Sequence, residues 1–418
     1  MKTKILFLSI CIAINLSTLA QQRNVHWIHG LGGNATSWQL FGNDFNIQRN
    51  ILTNTVGDYN TANGVGGMVG DIQNQIGGAA GGNSIGICHS MGGVAGRQLD
   101  VQNNGFFGGI ITFGSPLRGA RVVNNVNNGV ATQYIDNAIN KLLAGPQSEP
   151  IFNAIIRYFQ NRGNLPIQDL SGNGIIQEVR NQLGLTPQTT NDLAEESGYN
   201  QGFYGNGTNT PKLIFWGNEN SPIHVRLAAG AAGADEEQWV GSWNSARQTY
   251  GAMRDYNYTM RWAFPILLSL FNWRGNQWAR GYDYLLDQSE NEWANLIGGG
   301  FSFQQTVTDY LFVGINLEDY DNCIIAANGD PNQIQICEST YFQWVTYQVT
   351  IFARDQTDGL VPRRSQIAEN TAWSSNAEIR ELAGNNHQEM RRSIESRNEL
   401  NATFNGNRAG GNMAISFR

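Results

Sequence analysis

Residues 86 to 93 read GICHSMGG and set Cys88, His89 and Ser90 side by side. Each of these side chains can serve as nucleophile or base, so spacing has to choose among them. Ser90 has Cys88 two positions before it and Gly92 two positions after, the small-x-Ser-x-small spacing of a nucleophile elbow. So tight a strand-to-helix turn strains its central residue, and only small neighbours two positions away avoid a clash. An elbow centred on Cys88 would put Gly86 and Ser90 at the same small positions, so sterics alone leaves both centres open. The flanks agree with a turn here: Ser84 to Cys88 is a short apolar strand signal, and GGVAG at 92–96 lets a helix start against the sheet. With Ser90 at the centre, Cys88 and His89 point away from the cleft and become packing residues.

Working outward, NVHWI at 24–28 predicts a strand that ends in the glycine-rich turn HGLGG. Residues 51–59 predict a second strand, and Met68, Val69, Ile72 and Ile76 recur at helical spacing. GIITF at 109–113 and LIFW at 213–216 are further short, buried strands. Alternation of this kind predicts an α/β fold, a mostly parallel sheet covered by helices on both faces. Between the last two strands, VATQYIDNAINKLLAG carries apolar pairs at 130/131, 134/135, 138/139 and 142/143 before Gly145-Pro146 stops the helix. That stripe suits a helix buried on a core or a mobile lid. A segment from 225 to 345 is rich in Trp, Tyr and Phe; it builds a small core of its own or lines an apolar pocket as a cap. The expected organisation is a core over 21–224 with a helical cap insertion at about 121–210, an aromatic-rich cap insertion at 225–345, and the rest of the core at 346–418.

Composition narrows the partners. Charged residues make up 15% of the 418 and the net charge is -7, so no basic stripe is available to neutralise phosphates and nucleic acid is excluded as a partner. Uncharged or apolar substrates fit better. The N-terminus, MKTKILFLSICIAINLSTLAQQ, has two lysines, an apolar run over 5–14 and Thr18-Leu19-Ala20, which predicts a secretory signal peptide over 1–20. The run is shorter than the roughly 18 residues of a membrane span, so the mature chain is expected to carry no transmembrane segment and to be secreted or periplasmic. Removal of the signal takes Cys11 with it. Cys323 and Cys337 bracket a short loop, and an oxidising compartment predicts a disulfide between them, leaving Cys88 as a buried free thiol. Two thiolates alone make a poor zinc site.

Four ordered motifs, HGLGG at 29–33, CHSMGG at 88–93, TFGSPLRGA at 112–120 and TDGLVP at 357–362 followed by NNHQE at 385–389, resemble the α/β-hydrolases, and within them the secreted bacterial true lipases. The resemblance covers about half of the chain; most of the two insertions lies outside it. It implies an α/β-hydrolase fold with cap or lid insertions, and a triad of nucleophile, acid and histidine that falls on Ser90, Asp358 and His387. Asp355 and Glu219 are the alternative acids. The resemblance also implies an oxyanion hole from the backbone N–H groups of Leu31 and Met91, with His29 holding the first of these loops. Related lipases place an acidic residue two positions after the histidine to help hold calcium; here that is Glu389. Glu318, Asp319, Asp321 and Asp330 show no ligand spacing, so no metal and no cofactor are expected. The implied activity is cleavage of carboxylic esters with apolar acyl groups by a lipase or carboxylesterase, acting on a lipid or small ester, if a lipase at a lipid–water interface. Amidase, phospholipase and acyltransferase use the same triad, and a non-catalytic binding protein on the same scaffold is the alternative of a different class.

Overall fold

The computed structural model describes residues 24–42, 52–55, 58–78, 80–144, 171–219, 240–241, 245, 289–298, 300–312 and 317–404. The expected signal peptide, most of the aromatic-rich segment up to residue 288, and the end of the chain from 405 lie outside the described residues.

Among the described residues, six strands form one sheet: β1 (Asn24–Ile28), β2 (Leu52–Thr55), β3 (Gly81–His89), β4 (Phe107–Phe113), β5 (Lys212–Asn218) and β8 (Ala377–Ala383). Their order is β2-β1-β3-β4-β5-β8, and every neighbouring pair is parallel. Alternation along the strands gives each face its own core, as expected of a parallel sheet covered on both sides. Ile28, Cys88, Ile110, Ile214 and Trp216 point to one face. They meet Met68 and Ile72 of α1 (Gly64–Ile76) and Val94 and Leu99 of α2 (Met91–Asn103). Val25, Trp27, Ile85, Ile87, Ile111, Phe113, Leu213 and Phe215 point to the other, against Trp38, Phe41 and Leu400. The chain turns outward from β1 to β2, then crosses back to start β3 on the other side, so the order reverses between β1 and β3. In open parallel sheets, the crevice at the carboxyl ends of such a pair is where ligands bind.

Between β4 and β5 the described residues form α3 (Arg121–Asn127), α4 (Val130–Ala144), α5 (Gly172–Leu183), α6 (Pro187–Leu193) and α7 (Gly198–Gln201). The expected amphipathic helix is α4. Its Ala131, Tyr134 and Ile135 pack with Ile176 of α5 and with Trp293 and Leu296 of α8 (Ser289–Ile297), while Val130 is exposed. That part of the stripe is a small core. The side chains of 138/139 and 142/143 are outside the described residues.

Residues 300–354 are a separate compact unit, within which β6 (Gly300–Phe312) pairs antiparallel with β7 (Phe342–Arg354). The two strands are joined by α9 (Leu317–Ala327) and α10 (Pro331–Tyr341). Cys323 and Cys337 are bonded, with Cα atoms 5.9 Å apart. The bridge therefore ties two helices rather than closing the plain loop expected from the sequence. An Asn-Gly-Asp turn at 328–330, with Asn328 and Gly329 at positive φ, makes the helices fold back.

Candidate active site

The site is built on the carboxyl ends of β1, β3, β5 and β8. β3 runs straight into α2 through Ser90, whose backbone sits at φ 55 and ψ -131. This is the strained centre that the spacing of GICHSMGG demands, and it falls on Ser90 rather than on Cys88. The small positions are used as expected: a Cβ on Gly92 would stand 2.5 Å from the His29 carbonyl oxygen. Cys88 is a buried free thiol packed against Gly96, and burial pushes it far above the ordinary thiol range, so it stays protonated.

The loop after β8 brings His387 to the serine. Ser90 Oγ–H donates to His387 Nε2 at 3.0 Å, and His387 Nδ1–H donates to Asp358 Oδ2 at 2.7 Å. Asp358 lies in the turn TDGLVP, where Gly359 takes φ 91, and its other oxygen accepts the N–H groups of Leu360 at 2.9 Å and Val361 at 2.7 Å. Each carboxylate oxygen therefore has its partner. Of the alternative acids, Asp355 pairs with Arg364 at 3.4 Å. Glu219 is buried, and its N–H donates to the Thr357 carbonyl at 2.8 Å. The hydrogen bond to His387 is made by Asp358.

On the other side of Ser90, the HGLGG turn comes close enough that a Cβ on Gly30 would stand 2.5 Å from Ser90 Cβ. The Gly30 carbonyl accepts from Gly33 N–H at 3.0 Å and from His29 Nδ1–H at 2.9 Å. A trans peptide sets its C=O and N–H on opposite sides, so fixing that carbonyl also fixes the direction of the Leu31 N–H. His29 is itself held by Tyr59, whose ring stacks on it at 3.9 Å and whose hydroxyl donates to its carbonyl at 2.6 Å. Burial lowers the His29 imidazole below its ordinary value and keeps it neutral. Met91 is the first residue of α2, where an N–H has no intrahelical acceptor. Glu389 accepts the Asn386 N–H at 3.0 Å, bracing the histidine loop. Among the described residues, no group of three or more His, Cys, Asp or Glu side chains could hold a metal ion.

Several contributors were not legible in the sequence. Gly114, at φ 54 after β4, leaves the space in which Asp358 and His387 meet: a Cβ there would stand 2.9 Å from Asp358 Oδ2 and 3.2 Å from His387 Nδ1. The TFGSP motif includes it, but nothing in that motif points to residues more than two hundred positions away. Trp293 of α8 donates from Nε1 to the Gly359 carbonyl at 2.9 Å and braces the acid turn. His89, expected only to pack, places Nε2 2.8 Å from the His387 carbonyl oxygen.

No protein-family model matches the chain, and no curated protein matches it. Solved structures do. An extracellular alpha/beta-hydrolase from a Paenibacillus species is 15% identical, with 46% of this chain and 76% of that one covered and a TM-score of 0.27. A Bacillus megaterium epoxide hydrolase is 14% identical over 48% and 77%, with a TM-score of 0.25. The Bacillus licheniformis lipase BlEst2 in mature form is 12% identical over 52% and 76%, also at 0.25. The fold of this chain is α/β, a parallel sheet covered by helices on both faces, with a strained serine between β3 and α2. No helix among the described residues is long and apolar enough to cross a membrane.

Proposed function

We propose that this chain is a serine hydrolase that cleaves carboxylic esters through an acyl-enzyme. The observation that carries the proposal is the continuous relay from Ser90 Oγ through His387 to Asp358, at 3.0 and 2.7 Å, with Ser90 on a strained elbow. Ser90 Oγ attacks the ester carbonyl while His387 Nε2 takes its proton. Asp358 holds the Nδ1–H tautomer and stabilises the imidazolium that forms. The Leu31 and Met91 N–H groups are the proposed donors to the tetrahedral oxyanion. The proton on Nε2 then goes to the leaving alcohol. Water, deprotonated by the same nitrogen, attacks the acyl-enzyme and releases the acid and Ser90. The proposed chemistry draws on no cofactor.

The proposed substrates are neutral esters with apolar acyl groups, those of a lipase or carboxylesterase, met outside the cytoplasm after export. The low charged fraction of the chain and the signal-peptide pattern support this. A labelled fluorophosphonate should modify the wild-type protein and fail to modify Ser90→Ala. Absence of labelling in folded wild-type protein would favour a binding protein instead. A chain-length series of nitrophenyl esters then places the acyl preference. For a lipase that opens at an interface, rate should climb as the ester passes its solubility limit, and a smooth hyperbola with short soluble esters preferred identifies a plain carboxylesterase.

A further inference from the structure

We propose that His89 is a positioning residue that locks the base loop to the nucleophile turn by donating a hydrogen bond from Nε2 to the backbone carbonyl of His387. This rests on the serine-hydrolase assignment for its catalytic consequence, though not for its geometry. His387 lies in the stretch 384–388 between β8 and the 3-10 turn Glu389–Arg391, where no sheet ladder fixes its peptide groups. Besides the local turn bonds that Asn386 accepts from the Gln388 and Glu389 N–H groups, two long-range contacts of His387 do so. Its N–H donates to the Asp358 carbonyl at 2.8 Å, and its C=O lies 2.8 Å from His89 Nε2. The base is thus held to the acid turn by one peptide group and to the nucleophile strand by the other.

The donor is well placed for this. His89 is the last residue of β3 and the immediate neighbour of Ser90, so one peptide unit separates the anchoring ring from the nucleophile. Its strand is held in register opposite Phe113, and Ser90 N–H donates to the Phe113 carbonyl at 3.0 Å. The His89 ring stands edge-on to Trp38 at 6.2 Å, and Trp38 is anchored by its Nε1–H to the Ile28 carbonyl at 3.1 Å. A carbonyl can only accept, so Nε2 must carry the proton. Burial keeps the imidazole neutral, with the nearby His387 and Arg391 acting in the same direction. A neutral neighbour suits a base that must itself become cationic 4.9 Å away.

The Nε2 of His89 and the amide nitrogen of a glutamine stand the same number of bonds from Cα, whereas an asparagine amide stops where Nδ1 lies. His89→Gln should therefore recover most of the function that His89→Asn and His89→Leu lose. With p-nitrophenyl butyrate, the Asn and Leu variants should lose about ten- to a hundredfold in kcat at unchanged KM, the scale of a misplaced catalytic group. The second readout needs no turnover: the downfield proton between His387 Nδ1 and Asp358, assigned with Asp358→Asn, should stay sharp in the wild type and in His89→Gln and broaden in His89→Leu and His89→Asn. If the Leu variant fails to fold, the Gln and Asn pair decides. Equal losses in Gln and Asn, or an unchanged proton signal in both Asn and Leu, would overturn the proposal. Should the wild type hydrolyse no ester, the assigned activity falls while the proton signal still decides the role of His89.

Discussion

The six-stranded sheet and the helical hairpin between β6 and β7 hold themselves together by different means. The sheet buries both faces: Ile85, Ile87, Ile110 and Ile111 have no exposed surface, and their partners come from positions scattered between residues 25 and 400. The ribbon's helical hairpin draws on a short stretch. Among its described side chains only Ala327 and Cys337 are buried, and Ile325 and Ile336 are exposed. Its closure is covalent, through the bond between Cys323 and Cys337. Where apolar burial is plentiful, a protein can hold strained and polar groups in place; among the described side chains of the hairpin such burial is scarce, and a crosslink ties its two helices. The strained Ser90, the buried Asp358 and the buried histidines all lie in the sheet unit.

The strongest way to break that contrast is to remove chemistry from the sheet without removing its packing. Ser90→Ala and His387→Ala should each lower kcat by about three to six orders of magnitude, because members of a triad act as a unit. Asp358→Asn should cost about four orders through the wrong imidazole tautomer. Melting temperatures should stay near the wild-type value for Ser90→Ala. Near-normal turnover in any of the three, or a comparable loss in Asp355→Asn, would relocate the site. A smaller effect is expected from Gly114→Ala, where the added methyl would crowd Asp358 Oδ2 at 2.9 Å. Its kcat should fall about ten- to a hundredfold, since small displacements of a catalytic pair are costly. Unchanged kinetics there would mean that the loop gives way freely.

For the ribbon, reduction or the double change Cys323→Ser and Cys337→Ser removes a crosslink between positions 14 apart, worth about 3 kcal/mol on a chain-entropy account. Hydrogen exchange at 317–341 should accelerate, with the amides of β3 and α2 as the internal reference. Equal protection before and after reduction would show that side-chain packing, not the crosslink, holds the hairpin.

The last expected effect separates the two regions by pH. Burial lowers the His26 imidazole from 6.5 to about 4. The unfolded chain takes up that proton near 6.5 while the folded sheet refuses it until about 4, so the unfolded state binds more protons between these values. Stability is therefore full above 6.5 and declines as pH falls towards 4; His29 and His89, shifted in the same direction, add to it. Residues 300–354 contain no histidine. Acid should loosen the sheet's amides through this window, less so in His26→Phe. A pH slope unaltered by that substitution would take His26 out of the account.

Local rules were enough to place β1 to β5, the glycine turn and α2, though not the β6–β7 ribbon, because alternation with a period of two and the small residues around Ser90 are properties of adjacent positions. The sequence of motifs also pointed to Ser90, Asp358 and His387, although through a resemblance, and the cysteine pair followed from compartment chemistry. Geometry had to decide the rest. Steric arguments allowed an elbow on Cys88 or on Ser90, and the positive φ lies at Ser90. Three acids were available, and which of them meets His387 depends on which turn the fold carries to the end of β5. The contacts of Gly114 with Asp358 and His387, of Trp293 with the Gly359 carbonyl, and of His89 with the His387 carbonyl join residues between 66 and 298 positions apart. No periodicity or spacing encodes such pairs. They come into being only when loop closure and the stacking of both sheet faces fix which carboxyl ends share a crevice.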